Sequence, residues 1–428
     1  MMKSSLIRIN LIFILLVLFI PNFTSAESKT FIKEYTYQAS EADSKISSRV
    51  IALEQVKRLL LEELGTYLES HTEIVNFQLK KDQITALTAG IVQTQILKEK
   101  WDGERYWMQA KIEADPHKVA EDVDALRKDR EKSNELEDVR KKADELSREL
   151  ERLRSELELS KKDQTNIVKY DEAIKELSAT DWYRKGLSFA RTGNYDEAIA
   201  AITKAIQLNP KYSLAYVSRS FAYAKLGDYQ RVLDDTNKAI ELDPKLAMAY
   251  VNRGFVYRNL GDNQKALTDY NMAIELDPKN ALAYVNRGFA YSKLGNYQQV
   301  LADSNKAIEL DPKLAMAYVN RGLAYGMLGN YPQVLADSNQ AIELDPKLSL
   351  AYVNRGLAYS KLGDNQQFLA DSNRAIELDP KNVLCYANRG DAYSKLGYNE
   401  LAINDYKTCA RLGHEGCQRV LRAKGVSW

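Results

Sequence analysis

Ala283-Tyr-Val-Asn-Arg-Gly-Phe-Ala-Tyr291 returns 34 residues later as Ala317-Tyr-Val-Asn-Arg-Gly-Leu-Ala-Tyr325. Six prolines keep the same step of 34: Pro210, Pro244, Pro278, Pro312, Pro346 and Pro380. In the copy from Ala281 to Leu314, Tyr284, Gly288 and Tyr291 recur at helical spacing, and Gly295-Asn296 supplies residues that tolerate a left-handed helix end. A second helix carries Val300, Leu301, Ala307 and Leu310. It stops at Asp311-Pro312, because proline lacks an N–H and disfavours helical geometry before it. Gly288 is expected to let the two antiparallel helices approach closely. One such hairpin cannot bury its apolar face alone, so neighbours must stack.

A period of 34 residues with these punctuation marks resembles the tetratricopeptide repeat family over residues 179–412. Seven copies begin at Ala179, Ser213, Ala247, Ala281, Ala315, Ser349 and Val383. The family's early aromatic stands as Trp182, Tyr216, Tyr250, Tyr284, Tyr318, Tyr352 and Tyr386, and its glycine as Gly186, Gly254, Gly288, Gly322, Gly356 and Gly390. Ser220 replaces that glycine in repeat two. The small residue expected opposite it becomes Val232, Val300, Val334 and Phe368, which predicts looser packing in repeat six. Pro332 falls in the first turn of its helix, where proline is tolerated. The expected fold class is mainly α: an α-solenoid of repeats, preceded by a long coiled-coil helix and a small α+β domain.

The rest of the chain divides into further segments. Residues 1–26 read as a secretory signal: Lys3 and Arg8 precede the apolar run Leu11 to Ile20, then Pro21 and the small residues Thr24 and Ala26. The run is shorter than the ~20 residues a membrane span needs. Residues 30–115 form an α+β module. Phe31 to Ala39 reads as a strand, and Ser44 to about Leu68 as a helix with Ile51, Leu53, Val56, Leu59, Leu60 and Leu64 as its core stripe. Ile91 to Trp101 and Arg105 to Ala114 read as a hairpin around Asp102-Gly103-Glu104. Arg49, Ala52, Gly65-Thr-Tyr-Leu68 and Asp82-Gln-Ile-Thr-Ala-Leu-Thr-Ala-Gly-Ile-Val92 resemble the N-terminal domain of the flagellar assembly protein T family. That resemblance implies a small periplasmic domain contacting other envelope parts. The remaining chain departs from that family, so a flagellar role does not transfer.

Asp115-Pro116 ends the module, and residues 119–160 read as one charged helix about 60 Å long at ~1.5 Å per residue. Leu136, Val139, Ala143, Leu146, Leu150, Leu153 and Leu157 step by three and four, the seam of a coiled coil that could join copies of the chain into a homo-oligomer. A single solvated helix held by Glu–Lys and Glu–Arg pairs is the alternative. In residues 165–178, Tyr170-Asp-Glu-Ala-Ile174 echoes Tyr195-Asp-Glu-Ala-Ile199 and suggests a half-repeat cap; chance similarity is the other reading.

Residues 413–428 form a C-terminal capping helix. Cys409, on the last helix of repeat seven, and Cys417, after Gly413-His-Glu-Gly416, resemble the Sel1-like cysteine-rich repeats of secreted proteins. In those repeats two such cysteines bridge a helix pair, which implies a Cys409–Cys417 disulfide in an oxidising compartment. Two buried free thiols are the alternative, and Cys385 is left over as a core residue.

Lys and Arg number 60 against 59 Asp and Glu, with no basic stripe, so no nucleic-acid partner is expected. His71, His117 and His414 make no ligand pair, and no phosphate loop, nucleophile elbow or dinucleotide fingerprint occurs. No metal, cofactor or catalysis is expected. In the resembling family the first helix of each repeat lines the concave groove. Val217, Val251, Val285, Val319 and Val353 stand where carboxylate-clamp members carry lysine, so a clamp for a C-terminal acidic peptide is disfavoured. One position on, Asn252, Asn286, Asn320, Asn354 and Asn388 resemble the backbone-gripping asparagine ladder of O-linked N-acetylglucosamine transferase, since an amide both donates and accepts. A structural role is the other reading. Phe221, Phe255, Phe289, Leu323 and Leu357 are candidate apolar groove surface, or else packed core. Arg219, Arg253, Arg287, Arg321, Arg355 and Arg389 precede Asp235, Asp269, Asp303, Asp337, Asp371 and Asp405 by sixteen residues each, a ladder expected to be structural. The function expected is an exported, non-catalytic scaffold that binds a protein or extended peptide. The alternative is a regulatory or recruiting subunit of a cell-envelope enzyme complex for cell wall or polysaccharide.

Overall fold

A computed structural model of the chain describes residues 28–40, 43–71, 87–89, 91–128, 130–159 and 164–428. The expected signal, residues 1–26, lies outside them, as do residues 82–86 and 90 of the stretch ending at Val92. The chain forms two compact units, Met1–Leu177 and Ser178–Trp428.

In the N-terminal unit β1 (Lys29–Gln38), α1 (Lys45–His71), β2 (Thr94–Trp101) and β3 (Arg105–Ala114) follow in order, and the antiparallel sheet has the order β1-β3-β2. Phe31 pairs with Ile112 and Tyr35 with Met108. The expected hairpin turn is closed by Asp102, whose Oδ1 accepts the Glu104 N–H at 3.0 Å. Along β3, Tyr106, Met108, Ala110, Ile112 and Ala114 are buried at every second position, the period of one strand face. The helix α1 buries Ala52, Val56, Leu60, Leu64 and Leu68, a tighter stripe than expected. Ile51, Leu53 and Leu59 are only half-buried, and Ile51 packs with Val50 on a different cluster.

The charged stretch is helical on both sides of residue 129, which lies outside the described residues: α2 spans Pro116–Lys128 and α3 Arg130–Leu159, and Asp115 Oδ1 accepts the His117 N–H at the start of α2. The seam residues Ala143, Leu146, Leu150, Leu153 and Leu157 of α3 are buried against Tyr170, Ala173, Ile174 and Leu177 of α4 (Gln164–Arg191). From Ala143 to Leu157 the seam is therefore covered from within the chain. The Tyr170–Ile174 stretch belongs to the helix that covers it.

A buried carboxylate anchors the same helix pair. The Asp43 side chain is fully shielded. It accepts hydrogen bonds from Tyr37 at 3.0 Å, the Ser40 N–H at 2.7 Å, Ser47 at 3.3 Å and the Tyr170 hydroxyl, with Arg154 Nε 3.8 Å away. Burial, reinforced by Asp43, raises both tyrosine pKa values, so the phenols remain donors.

The C-terminal unit stacks seven helical hairpins and a cap. After the end of α4 come the second helix of repeat one, Tyr195–Leu208, and the pairs Ser213–Leu226/Tyr229–Leu242, Ala247–Asn259/Asn263–Leu276 and Ala281–Lys293/Tyr297–Leu310. The stack continues through Ala315–Met327/Tyr331–Leu344, Ser349–Leu362/Asn365–Leu378 and Val383–Lys395/Asn399–Arg411 to the cap Glu415–Ala423. Between hairpin halves Gly295 sits at φ 76°, a left-handed turn that a side chain would strain, and Asn296 caps the next helix through the Gln299 N–H. Pro332 lies in the first turn of Tyr331–Leu344, as expected. The interior is built from small groups: Ala283, Ala290, Val300 and Ala307 are fully buried. Phe368 is also buried and packs under Gly356, so the looser packing expected in repeat six is not found. First helices of successive repeats touch one another, while second helices pack chiefly on first helices. The closer spacing puts the first helices on the inner side of the stack.

Replacing Leu153 by Ala should destabilise the N-terminal unit by about 2–5 kcal/mol without changing the molecular mass of the chain in sedimentation. A mass that falls on substitution would show that the seam joins copies after all.

Candidate protein-binding face

The Arg–Asp ladder is structural, and it reaches further than its sequence spacing implied. In each of repeats two to seven the arginine donates through Nε and Nη2 to both carboxylate oxygens of its aspartate, at 2.6–3.0 Å. The remaining Nη1 reaches back to the preceding repeat. Arg253, Arg287, Arg321, Arg355 and Arg389 donate to Asn237, Asn271, Asn305, Asn339 and Asn373 at 2.8–3.1 Å, and Arg219 to Thr203 at 2.9 Å. Each guanidinium also lies over the tyrosine three residues before it, 5.5 Å from the ring in the case of Arg321 and Tyr318. The aspartates are buried, and their hydrogen bonds hold Arg253, Arg287, Arg321, Arg355 and Arg389 above the ordinary guanidinium pKa, against burial. The second asparagine ladder was missed in the sequence, although it recurs every 34 residues and lies sixteen before each arginine.

The Asn252–Asn388 ladder does not form one continuous row of groove amides. Asn320 and Asn354 are buried and donate to the backbone carbonyls of Val285 and Val319 in the preceding repeat, at 2.9 and 3.0 Å. Asn252 donates to Ser220 Oγ at 3.1 Å and contacts the Val217 carbonyl at 3.5 Å. Asn286 instead accepts from Arg258 Nη1 at 3.4 Å, and Asn388 is half-buried.

Packing beneath the repeat glycine explains the difference. The Asn320 amide nitrogen lies 3.5 Å from where a Cβ on Gly288 would stand, and the Asn354 nitrogen 3.8 Å from the same place on Gly322. Those two repeats carry Ser304 and Ser338 on the facing helix. Repeat three carries Tyr270 there, and its ring comes within 2.8 Å of a Cβ on Gly254, so Asn286 has no room to enter. In repeat six Phe368 fills the space under Gly356 and leaves Asn388 outside.

The apolar row behaves differently. Phe221 and Leu357 are 40% and 42% exposed, and Phe255, Phe289 and Leu323 are half-buried. These five side chains therefore present surface along the first helices, which also expose Leu282, Met327 and Leu384. Arg258, also missed in the sequence, stands among them, 5.1 Å from the Phe255 ring centroid and 5.4 Å from that of Phe289. Its signal was a departure: Ala224, Ser292, Gly326, Ser360 and Ser394 occupy the same place in the other repeats.

At the far end the structure joins Cys409 to Cys417 as a disulfide between the last repeat helix and the cap, with their Cα atoms 6.0 Å apart. His414 Nδ1 accepts the Cys417 N–H at 3.3 Å. The three ligand-type side chains lie within 4.8 Å of one another, but the bond occupies both sulfurs. Burial pushes the Cys385 thiol up to about 11.

A stack of helical hairpins on a 34-residue period, with an exposed inner row, defines a repeat scaffold. Family models match residues 179–212, 236–268, 281–314, 350–382 and 384–412 as tetratricopeptide repeat and residues 256–295 as TPR repeat. The chain thus contains tetratricopeptide repeats. Among solved structures, a tetratricopeptide repeat protein from Parabacteroides merdae ATCC 43184 is similar at 24% identity over 57% of this chain and 98% of its own, with a TM-score of 0.46. YrrB, described as a TPR protein with an unusual peptide-binding site, is 24% identical over 44% of this chain and 96% of its own, with a TM-score of 0.35. PilW, a type IV pilus biogenesis factor, is 18% identical over 48% and 94%, with a TM-score of 0.43. No curated protein sequence matches the chain.

Substituting Arg321 by Ala strands a buried carboxylate and should cost about 3 kcal/mol; Arg321→Lys restores charge but not the fork, and so only part of the loss. Asn320→Ala should cost about 1–2 kcal/mol, whereas Asn286→Ala stays within about 0.5 kcal/mol. Chemical denaturation of the variants measures all four. Alkylation of the denatured, unreduced chain should label Cys385 alone, and labelling of all three cysteines before reduction would remove the disulfide.

Proposed function

We propose that the protein is an exported, non-catalytic scaffold that holds a protein partner along the inner face of its first helices. The observation that carries this reading is the row Phe221, Phe255, Phe289, Leu323 and Leu357, which keeps large apolar side chains partly in contact with solvent, up to 42% for Leu357, while the neighbouring Ala and Val positions are buried. A row repeated along the stack offers a long, narrow apolar track, which suits a helix or an extended segment of another protein. The face is apolar where the notional amide ladder is engaged elsewhere, so side-chain packing is the main source of affinity.

Export is supported by the basic and apolar pattern of residues 1–26 and by the Cys409–Cys417 pair, since such bonds persist in oxidising compartments. Recruitment of a cell-envelope enzyme is one use of such a scaffold, and the identity of the bound partner decides it.

The mature chain should recover a partner from envelope extract, and the variant Phe255→Ala/Phe289→Ala/Leu323→Ala should lose it by about tenfold or more while retaining its helical circular dichroism. Equal recovery by the folded variant would move the binding site off this face.

A further inference from the structure

Across repeats two to six the first helices carry charge of one sign. The helices Ser213–Leu226, Ala247–Asn259, Ala281–Lys293, Ala315–Met327 and Ser349–Leu362 contain no aspartate or glutamate, and Asp391 in repeat seven accepts a hydrogen bond from Tyr406. The ladder arginines on these helices are neutralised by the buried aspartates of the second helices. Lys225, Arg258, Lys293 and Lys361 are not neutralised: none of them forms an ion pair among the described residues. The three lysines are exposed, and Lys225 Nζ lies 5.1 Å from the Phe221 ring centroid.

Arg258 is the cation placed among the apolar row itself. Its guanidinium lies between Phe255 and Phe289, and its one hydrogen bond, to Asn286 Oδ1, is long at 3.4 Å. Two aromatic faces restrict the plane of the guanidinium while leaving its other N–H groups to a ligand. Close by, the Tyr270 hydroxyl is buried without a hydrogen-bond partner. Burial keeps that phenol protonated, with the Arg258 charge pulling the other way. The local supply is donors, and the local shortage is an acceptor.

Building on the scaffold reading above, we propose that the face selects a protein segment in which acidic side chains alternate with apolar ones, and that Arg258 takes the carboxylate of one of them. The aromatic rings beside Arg258 shield part of the guanidinium from water, which strengthens a guanidinium–carboxylate pair relative to one in open solvent. The exposed lysines along the face favour the same sign of partner and speed its arrival. This differs from a clamp for a chain terminus: one side-chain carboxylate is read, and the valines beneath the face carry no charge.

The test uses the full mature chain and a phage-displayed library of random dodecapeptides. The recovered sequences should be enriched in Asp or Glu next to Leu, Ile or Phe and depleted in Lys and Arg. One recovered peptide, labelled with fluorescein, should then bind about tenfold more weakly when its acidic residue is changed to the amide. Arg258→Ala, with a melting temperature close to that of the parent, should bind acid and amide peptides alike. Recovery of neutral or basic apolar peptides, or an Arg258→Ala chain that still discriminates acid from amide, overturns this inference and leaves the scaffold reading standing. Recovery of no peptide removes both.

Discussion

The guanidinium of each ladder arginine is the joint on which the C-terminal unit depends. A hairpin of two short helices with alanine and valine between them buries too little to be stable alone, so its free energy of folding resides in the interfaces with its neighbours. Nε and Nη2 fasten the first helix to the aspartate of its own hairpin, Nη1 fastens it to the hairpin before, and the tyrosine ring beneath fills the remaining side. One side chain thereby ties three helices. Because the aspartate is buried, removing its partner leaves an unpaired charge in a poorly solvated place, and the two must be kept together.

The N-terminal unit solves the same problem of thin elements with a different device. Its three-stranded sheet is covered on one face by α1. The helix pair α3 and α4 contributes Arg154 and Tyr170 to the polar cluster around Asp43. The apolar seam of α3 meets its partner on the next helix of the same chain, so a pattern that resembles self-association ends as an intramolecular contact.

What could be read from the sequence followed from periodicity. The 34-residue step located every hairpin from Ala247 to Arg411 within a residue or two, because Gly, Asn and Pro act locally and the same local cause gives the same turn each time. Alternation in Arg105–Ala114 and the Asp-Gly turn located the β-hairpin for the same reason. The asparagine ladder left two readings open because its environment depends on a residue in another repeat: Asn320 and Asn286 are identical in local sequence, and Ser304 against Tyr270 separates them. Likewise the partner of the α3 seam cannot be told from heptad spacing, which is the same for a contact within one chain and between two. Arg258 escaped notice because regular features drew attention away from a single departure.

Those departures matter for a further reason. A track built from identical repeats would offer a bound segment several equivalent positions, each shifted by one repeat, and five such positions contribute about 1 kcal/mol of mixing entropy in favour of sliding. Tyr270 under Gly254 and Phe368 under Gly356 make repeats three and six unlike their neighbours, and each changes what the following repeat shows at its surface. The stack is therefore a ruler with distinguishable marks, on which a partner can be held at one address and in one direction.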